Sequence, residues 1–159
     1  KIILKYFFFF INLNIMKNNS IEHLLNHCLN NKKALTPSRT LIIKTLAKHL
    51  KPKSAYELQE EINKKKETKI NISTIYRVLD FWIKLGFVHK IASINKFLLC
   101  LKPEEKHTHM LNYCTRCEKV IESCNEKMNL DFKKSTAKLD LSFNGSHSIE
   151  IPVICSSCS

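Results

Sequence analysis

A chain of 159 residues is long enough to bury a real core, and 44% apolar, 9% aromatic and 25% charged residues are ordinary for a soluble globular protein. The formal net charge of +12 is uneven: residues 17–100 carry 16 Lys/Arg against 6 Asp/Glu, residues 101–159 carry 8 against 8, and Lys1 and Lys5 supply the remainder. A basic half beside a neutral half points to a polyanion-binding domain, most commonly one for nucleic acid, and seven cysteines argue against a disulfide framework and for metal.

The chain opens on KIILKYFFFFINLNIM, a charged start and an apolar run with no small-residue cleavage site after it, too short to span a bilayer. Residues 1–16 are therefore read as a non-native or untranslated leader with translation starting at Met16; a membrane anchor is the alternative. From Ser20 to about Gly86 four helices are expected. The first, Ser20–Asn31, places Ile21, Leu24, Leu25 and Cys28/Leu29 at helical spacing. The second begins at TPSR, with Thr36 as cap and Pro37 in the first turn, and runs to near His49. Lys51-Pro52-Lys53 breaks it, and Ser54 caps a third helix in which Glu57 completes a capping box.

The fourth helix, NISTIYRVLDFWIKLG, carries Ile72, Ile75, Leu79 and Trp82 on one stripe and Ser73, Arg77, Asp80 and Lys84 on a polar face, and Gly86 ends it. The strand-like runs FVHKI and KFLLC, separated by ASIN, read as a hairpin. Helices followed by a small hairpin make a winged helix-turn-helix, in which the last helix enters the major groove. LKPEEK at 101–106 reads as a hinge. Beyond it strands are expected at about Met110–Tyr113 and Val120–Ser123, a helix at about Glu126–Leu139 and a strand at about His147–Ile154. The fold class is α+β: an N-terminal winged helix-turn-helix domain at 17–100, and a small C-terminal α/β domain at 107–159 that needs a staple.

Cys114-x-x-Cys117 and Cys155-x-x-Cys158, with 37 residues between them, supply that staple. Each pair forms a knuckle offering two thiolates to one tetrahedral ion, and four protein ligands leave no position for substrate, so the expected site is structural zinc. A second set comprises His89, Cys100, His107, His109, Glu122 and Cys124. A thiolate among mixed donors tilts selectivity toward zinc, although spacing alone reads equally well as ordinary surface histidines. His23, His27, His49, His147 and Cys28 read as helix or strand residues with no ligand role.

TPSR at 36–39, SAYEL at 54–58, STIYRVLDFWIKLGFVHKI at 73–91, NKFLLC at 95–100, HTH at 107–109, and CTRC with CSSC resemble the ferric uptake regulator superfamily, and within it most the zinc uptake regulator branch. The resemblance covers about residues 20–158 and is most specific from Ser73 to Cys100. It implies a homodimeric, metal-dependent transcriptional repressor whose C-terminal domain is the dimerisation domain. It implies structural zinc on Cys114, Cys117, Cys155 and Cys158, and regulatory zinc on His89, Cys100, His107 and Glu122, hence two ions per subunit. Cys100 and His107 stand one residue closer than in the zinc-regulator pattern, so His109 is the substitute ligand. Tyr76 and Arg77 match the YR pair of the family's recognition helix.

Ser73, Thr74, Tyr76 and Arg77 are the expected DNA contacts, with Lys53 and Lys90 on phosphates. The expected protein is a cytoplasmic, zinc-responsive repressor that binds an operator in double-stranded DNA and controls zinc uptake genes, with no membrane and no small-molecule substrate. An iron- or peroxide-sensing regulator of the same superfamily is the alternative. Pro152 with the last CxxC hints at a zinc deaminase, but no HxE precedes it, and no nucleophile elbow, Walker loop or HExxH occurs, so no catalytic residue is expected.

Overall fold

The computed structural model describes residues 21, 22, 24, 26, 28, 30, 35–64, 69–101, 103, 108–124, 132–141 and 148–159. The expected leader at 1–16 lies outside them. The chain divides into two compact units, Lys1–Pro103 and Glu104–Ser159.

In the first unit the described residues between 21 and 30 are helical, and Leu24 and Cys28 are fully buried. Helix α1 spans Pro37–Ala47. Thr36 caps it by accepting a hydrogen bond from the Arg39 N–H at 3.3 Å, and Pro37 fills the first turn, where no amide partner is needed. Helix α2, Ala55–Lys64, opens on the expected capping box. The Ser54 N–H donates to Glu57 Oε2 at 2.8 Å, and the Glu57 N–H donates to Ser54 Oγ at 3.2 Å.

Helix α3, Ile72–Lys84, begins one residue later than its sequence run. Asn71 is its cap rather than its first residue, accepting from the Thr74 N–H at 2.8 Å, because a short carboxamide satisfies an otherwise orphan donor. Its buried stripe is Ile75, Val78, Leu79 and Trp82, while the expected Ile72 is only half-buried in the first turn. Gly86 ends the helix at φ 78°, and the Phe87 N–H reaches back to Trp82 O and the Gly86 N–H to Ile83 O, the double bond that such a left-handed residue allows.

The wing follows as antiparallel strands β1 (Val88–Ile91) and β2 (Lys96–Leu99), joined by a 3-10 turn at Ala92–Ile94 with Asn95 left-handed at φ 49°. Lys53 bridges to the other side of β2, exchanging backbone bonds of 2.9 and 2.8 Å with Phe97 and so tying the approach to α2 onto the wing. One core unites these pieces. Leu46, Leu58, Leu79, Trp82 and Phe97 are at most 1% exposed, and each aliphatic side chain so buried contributes roughly 1.5–3 kcal/mol.

The second unit is a three-stranded sheet of order β4-β3-β5. Strand β3, His109–Cys114, pairs antiparallel with β4, Val120–Cys124, and parallel with β5, Ile149–Val153. The expected helix at 126–139 is observed as α4, Phe132–Ala137, and its N-terminal half falls outside the described residues.

Candidate metal centre and nucleic-acid interface

Parallel pairing of β3 with β5 brings the two CxxC pairs to the same end of the sheet: Cys114 closes β3 and pairs with Val153, two residues before Cys155. The Thr115 N–H donates to Val153 O at 2.9 Å, locking that register at the knuckles. All four sulfurs, of Cys114, Cys117, Cys155 and Cys158, lie within 4.8 Å of one another, and Cys117 Sγ is 3.7 Å from Cys155 Sγ. Zinc–sulfur bonds of about 2.3 Å in a tetrahedron set sulfurs about 3.8 Å apart, so this donor set fits the ion.

Backbone dipoles prepare the cluster for ligation. The Cys155 N–H at 3.4 Å from Cys114 Sγ, helped by the Cys117 and Arg116 amides, lowers the Cys114 thiol to about 6. Hydrogen bonding to the Cys117 and Cys155 sulfurs pushes Cys158 up to about 12, since four adjacent thiols cannot all ionise without a cation among them. Arg116, inside the first knuckle, donates to the carbonyl of Cys158 in the second.

The other expected ligands are distributed between the units. In the first, His89 on β1 faces Leu98, and the Cys100 N–H bonds Phe87 O, so His89 and Cys100 are diagonal neighbours on one face of the wing. Both are buried, and their ligand atoms lie within 4.8 Å of each other. In the second unit, His109 at the start of β3 and Glu122 on β4 meet across the strands, with His109 Nδ1 2.6 Å from Glu122 Oε1. His107 lies outside the described residues.

Of the expected DNA contacts, Ser73, Thr74, Tyr76 and Arg77 lie on α3. An open cleft of ≈ 630 Å³ is lined by Arg39, Ser73, Tyr76, Arg77, Asp80, Phe81 and Lys84, three cations against one carboxylate. Ser73 and Arg77 are exposed and Thr74 half-buried. Tyr76 sits with one ring edge against Phe97 of the wing, centroids 6.3 Å apart, so it serves packing as well as the cleft. Lys90 is exposed on the wing, whereas the Lys53 ammonium is held 3.0 Å from Glu57. Arg39 was not among the expected contacts. It reaches the cleft from α1 by stacking its guanidinium 3.7 Å over the Phe81 ring, and only the packing of α1 on α3 reveals that a residue 42 positions away shares this surface.

A basic winged helix-turn-helix followed by a thiol-clustered α/β unit is the architecture of a metal-dependent transcription regulator. The chain belongs to the Ferric uptake regulator family, whose sequence model matches residues 30–152. It is 31% identical over 132 residues to the zinc uptake regulation protein of Escherichia coli (strain K12), covering 82% of this chain and 76% of that protein, and the Shigella flexneri protein of the same name matches equally. Among solved structures, a zinc uptake regulator complexed with zinc and DNA matches with a TM-score of 0.77 at 28% identity, covering 89% of this chain and 94% of its own. Holo XcZur matches with a TM-score of 0.75 at 27% identity, over 89% and 97%.

Proposed function

We propose that this protein is a zinc-responsive transcriptional repressor that binds operator DNA as a homodimer when its regulatory site is filled, and thereby controls zinc uptake genes. The observation that carries the reading is the buried His89–Cys100 pair on the wing of a chain similar to zinc uptake regulators. A thiolate there suits zinc and disfavours harder, oxygen-seeking ions, which leaves the iron- or peroxide-sensing alternative the less supported one.

Residues 17–100 act as the DNA-binding domain, 101–106 as the hinge and 107–159 as the dimerisation and metal-binding domain. Two zinc ions per subunit are expected. Cys114, Cys117, Cys155 and Cys158 hold the structural ion. His89, Cys100 and Glu122 hold the regulatory one with His107 or His109, and the existing bond between His109 and Glu122 supports His109. Bound zinc supplies Lewis-acid coordination that makes thiolate, imidazole and carboxylate donors converge. Because His89 and Cys100 come from the wing and Glu122 from the C-terminal domain, shared ligation restricts the freedom of one domain against the other. The restricted dimer then presents both α3 helices to successive major-groove half-sites without paying that ordering cost on DNA.

On the cleft, the Arg77 guanidinium is suited to guanine O6 and N7, while Ser73, Thr74, Tyr76, Lys53 and Lys90 serve the backbone and neighbouring bases. A repressor with this role acts in the cytoplasm; among the described residues no helix is long and apolar enough to cross a membrane. A gel shift on a duplex selected by the protein from a random pool, titrated with zinc and separately with ferrous iron, tests the reading. Retardation at low zinc is expected, and retardation by iron alone overturns it.

A further inference from the structure

The entry into α3 is held by side chains that carry no part of the site described so far. Ile70 is 7% exposed and lies between α2 and α3, so its N–H and C=O are withdrawn from water without a helix or strand to pair them. Both are satisfied from α2. The Ile70 N–H donates to Asn63 Oδ1 at 2.9 Å, Asn63 Nδ2 donates to Ile70 O at 3.1 Å, and Gln59 Nε2 donates to the same carbonyl at 3.0 Å.

A carboxamide presents a donor and an acceptor side by side in one plane, so Asn63 pairs with Ile70 as a strand neighbour would. The clamp joins the penultimate residue of α2 to the residue before the cap of α3. From there Asn71 continues the chain of contacts, accepting from the Thr74 N–H at 2.8 Å and from Ser73 Oγ at 2.9 Å. Two asparagines, Asn63 and Asn71, thus hold the start of α3, and the roll of the helix about its axis is shared between this anchor and the buried stripe of Ile75, Val78, Leu79 and Trp82. That roll decides the direction in which Ser73, Arg77 and Asp80 leave the helix.

We propose that Asn63, assisted by Gln59, is a positioning residue for operator recognition: it helps set the roll of α3 and so the aim of Arg77, without touching DNA. The inference rests on the DNA-binding reading above. Bidentate contacts to base edges are directional, while contacts between lysines and phosphates tolerate displacement, so loosening the clamp costs specific binding far more than non-specific binding.

The test uses the full-length, zinc-loaded protein, the duplex that the wild type selects from a random pool, and poly(dI-dC) as the non-specific probe. In Asn63→Ala the ratio of specific to non-specific affinity is expected to fall about tenfold, the scale of one directional base contact. Asn63→Asp keeps the acceptor for the Ile70 N–H but turns a carboxylate on the Ile70 carbonyl, and is expected to fall at least as far. Gln59→Ala, which removes one of two donors, is expected to fall by a few-fold. Zinc content and Trp82 fluorescence stay as in the wild type. An unchanged ratio in the Asn63 variants, or parallel loss on both probes, overturns the clamp. Should Asn63→Ala fail to fold, the same ratio in Gln59→Ala decides. A wild type that selects no duplex overturns the proposed function and the clamp with it, whereas a wild type that selects one and variants that match it overturn the clamp alone.

Discussion

Arg77 stands on the exposed face of α3 with Ser73, Asp80 and Lys84 along the same cleft, four residues apart or nearly so, as successive turns of a helix dictate. Its exposure means that truncation leaves the fold alone, so any effect is expected on recognition. Arg77→Ala is expected to lose about 1–3 kcal/mol of discrimination between operator and mismatched DNA, with zinc content and thermal midpoint unchanged. Competition gel shifts against point-mutated duplexes read this directly, and operator discrimination equal to wild type would refute the assignment of Arg77 as base reader. Tyr76 differs by one position and by environment: its ring packs on Phe97, so its removal is expected to cost stability as well as binding. Arg77 was legible in the sequence because helical periodicity puts it opposite Ile75, Val78, Leu79 and Trp82. Arg39 was not, because its place depends on how α1 crosses α3.

At the scale of elements, the capping box of α2 ties helix formation to pH. Burial by itself raises the Glu57 carboxyl, but the Ser54 N–H and the Lys53 ammonium outweigh it and hold the group at about 2. A depressed folded-state value stabilises the fold above the unfolded value of 4.5, and that stabilisation is lost as pH falls from 4.5 toward 2, where the unfolded chain takes up the proton first. The group is partly exposed, so after solvent screening the box contributes about 1 kcal/mol. Glu57→Gln is expected to lower stability by that amount at neutral pH and to flatten the acid limb of the melting curve between pH 4.5 and 2. Thermal melts across that range measure it, and parallel acid limbs for the two proteins would refute the linkage. The box was readable from Ser54 and Glu57 three residues apart, since capping is local chemistry. The cap of α3 was displaced by one residue because Asn71 fits equally well as a helical residue or as a cap, and its pairing with the Thr74 N–H is a matter of backbone conformation.

For the whole molecule, zinc and DNA are coupled ligands of one repressor. If filling the regulatory site raises operator affinity by some factor, saturating operator raises zinc affinity at that site by the same factor. Chelation with EDTA is expected to remove one zinc per subunit and to weaken operator binding by about 5- to 150-fold, the usual span of such couplings. The second zinc, on Cys114, Cys117, Cys155 and Cys158, is expected to leave only on thiol modification, with loss of the C-terminal domain's structure. Metal analysis alongside anisotropy titrations checks both steps, and operator affinity insensitive to removal of the first ion would refute the coupling.

The sequence by itself determined the elements and the chemistry they bear. Helical periodicity, Thr36 and Ser54 as caps, Gly86 as a stop and CxxC spacing are local, and each acts within a few residues. Tertiary structure alone decided what converges. The parallel pairing of β3 with β5, whose strands are 34 residues apart, brings the knuckles to sulfur contact, and the crossing of α1 on α3 places Arg39 over Phe81. Burial of Ile70 makes Asn63 a clamp rather than one more polar residue on an exposed helix end. Long-range convergence depends on strand register and helix packing, to which every core side chain contributes at once, so no window of the sequence contains it.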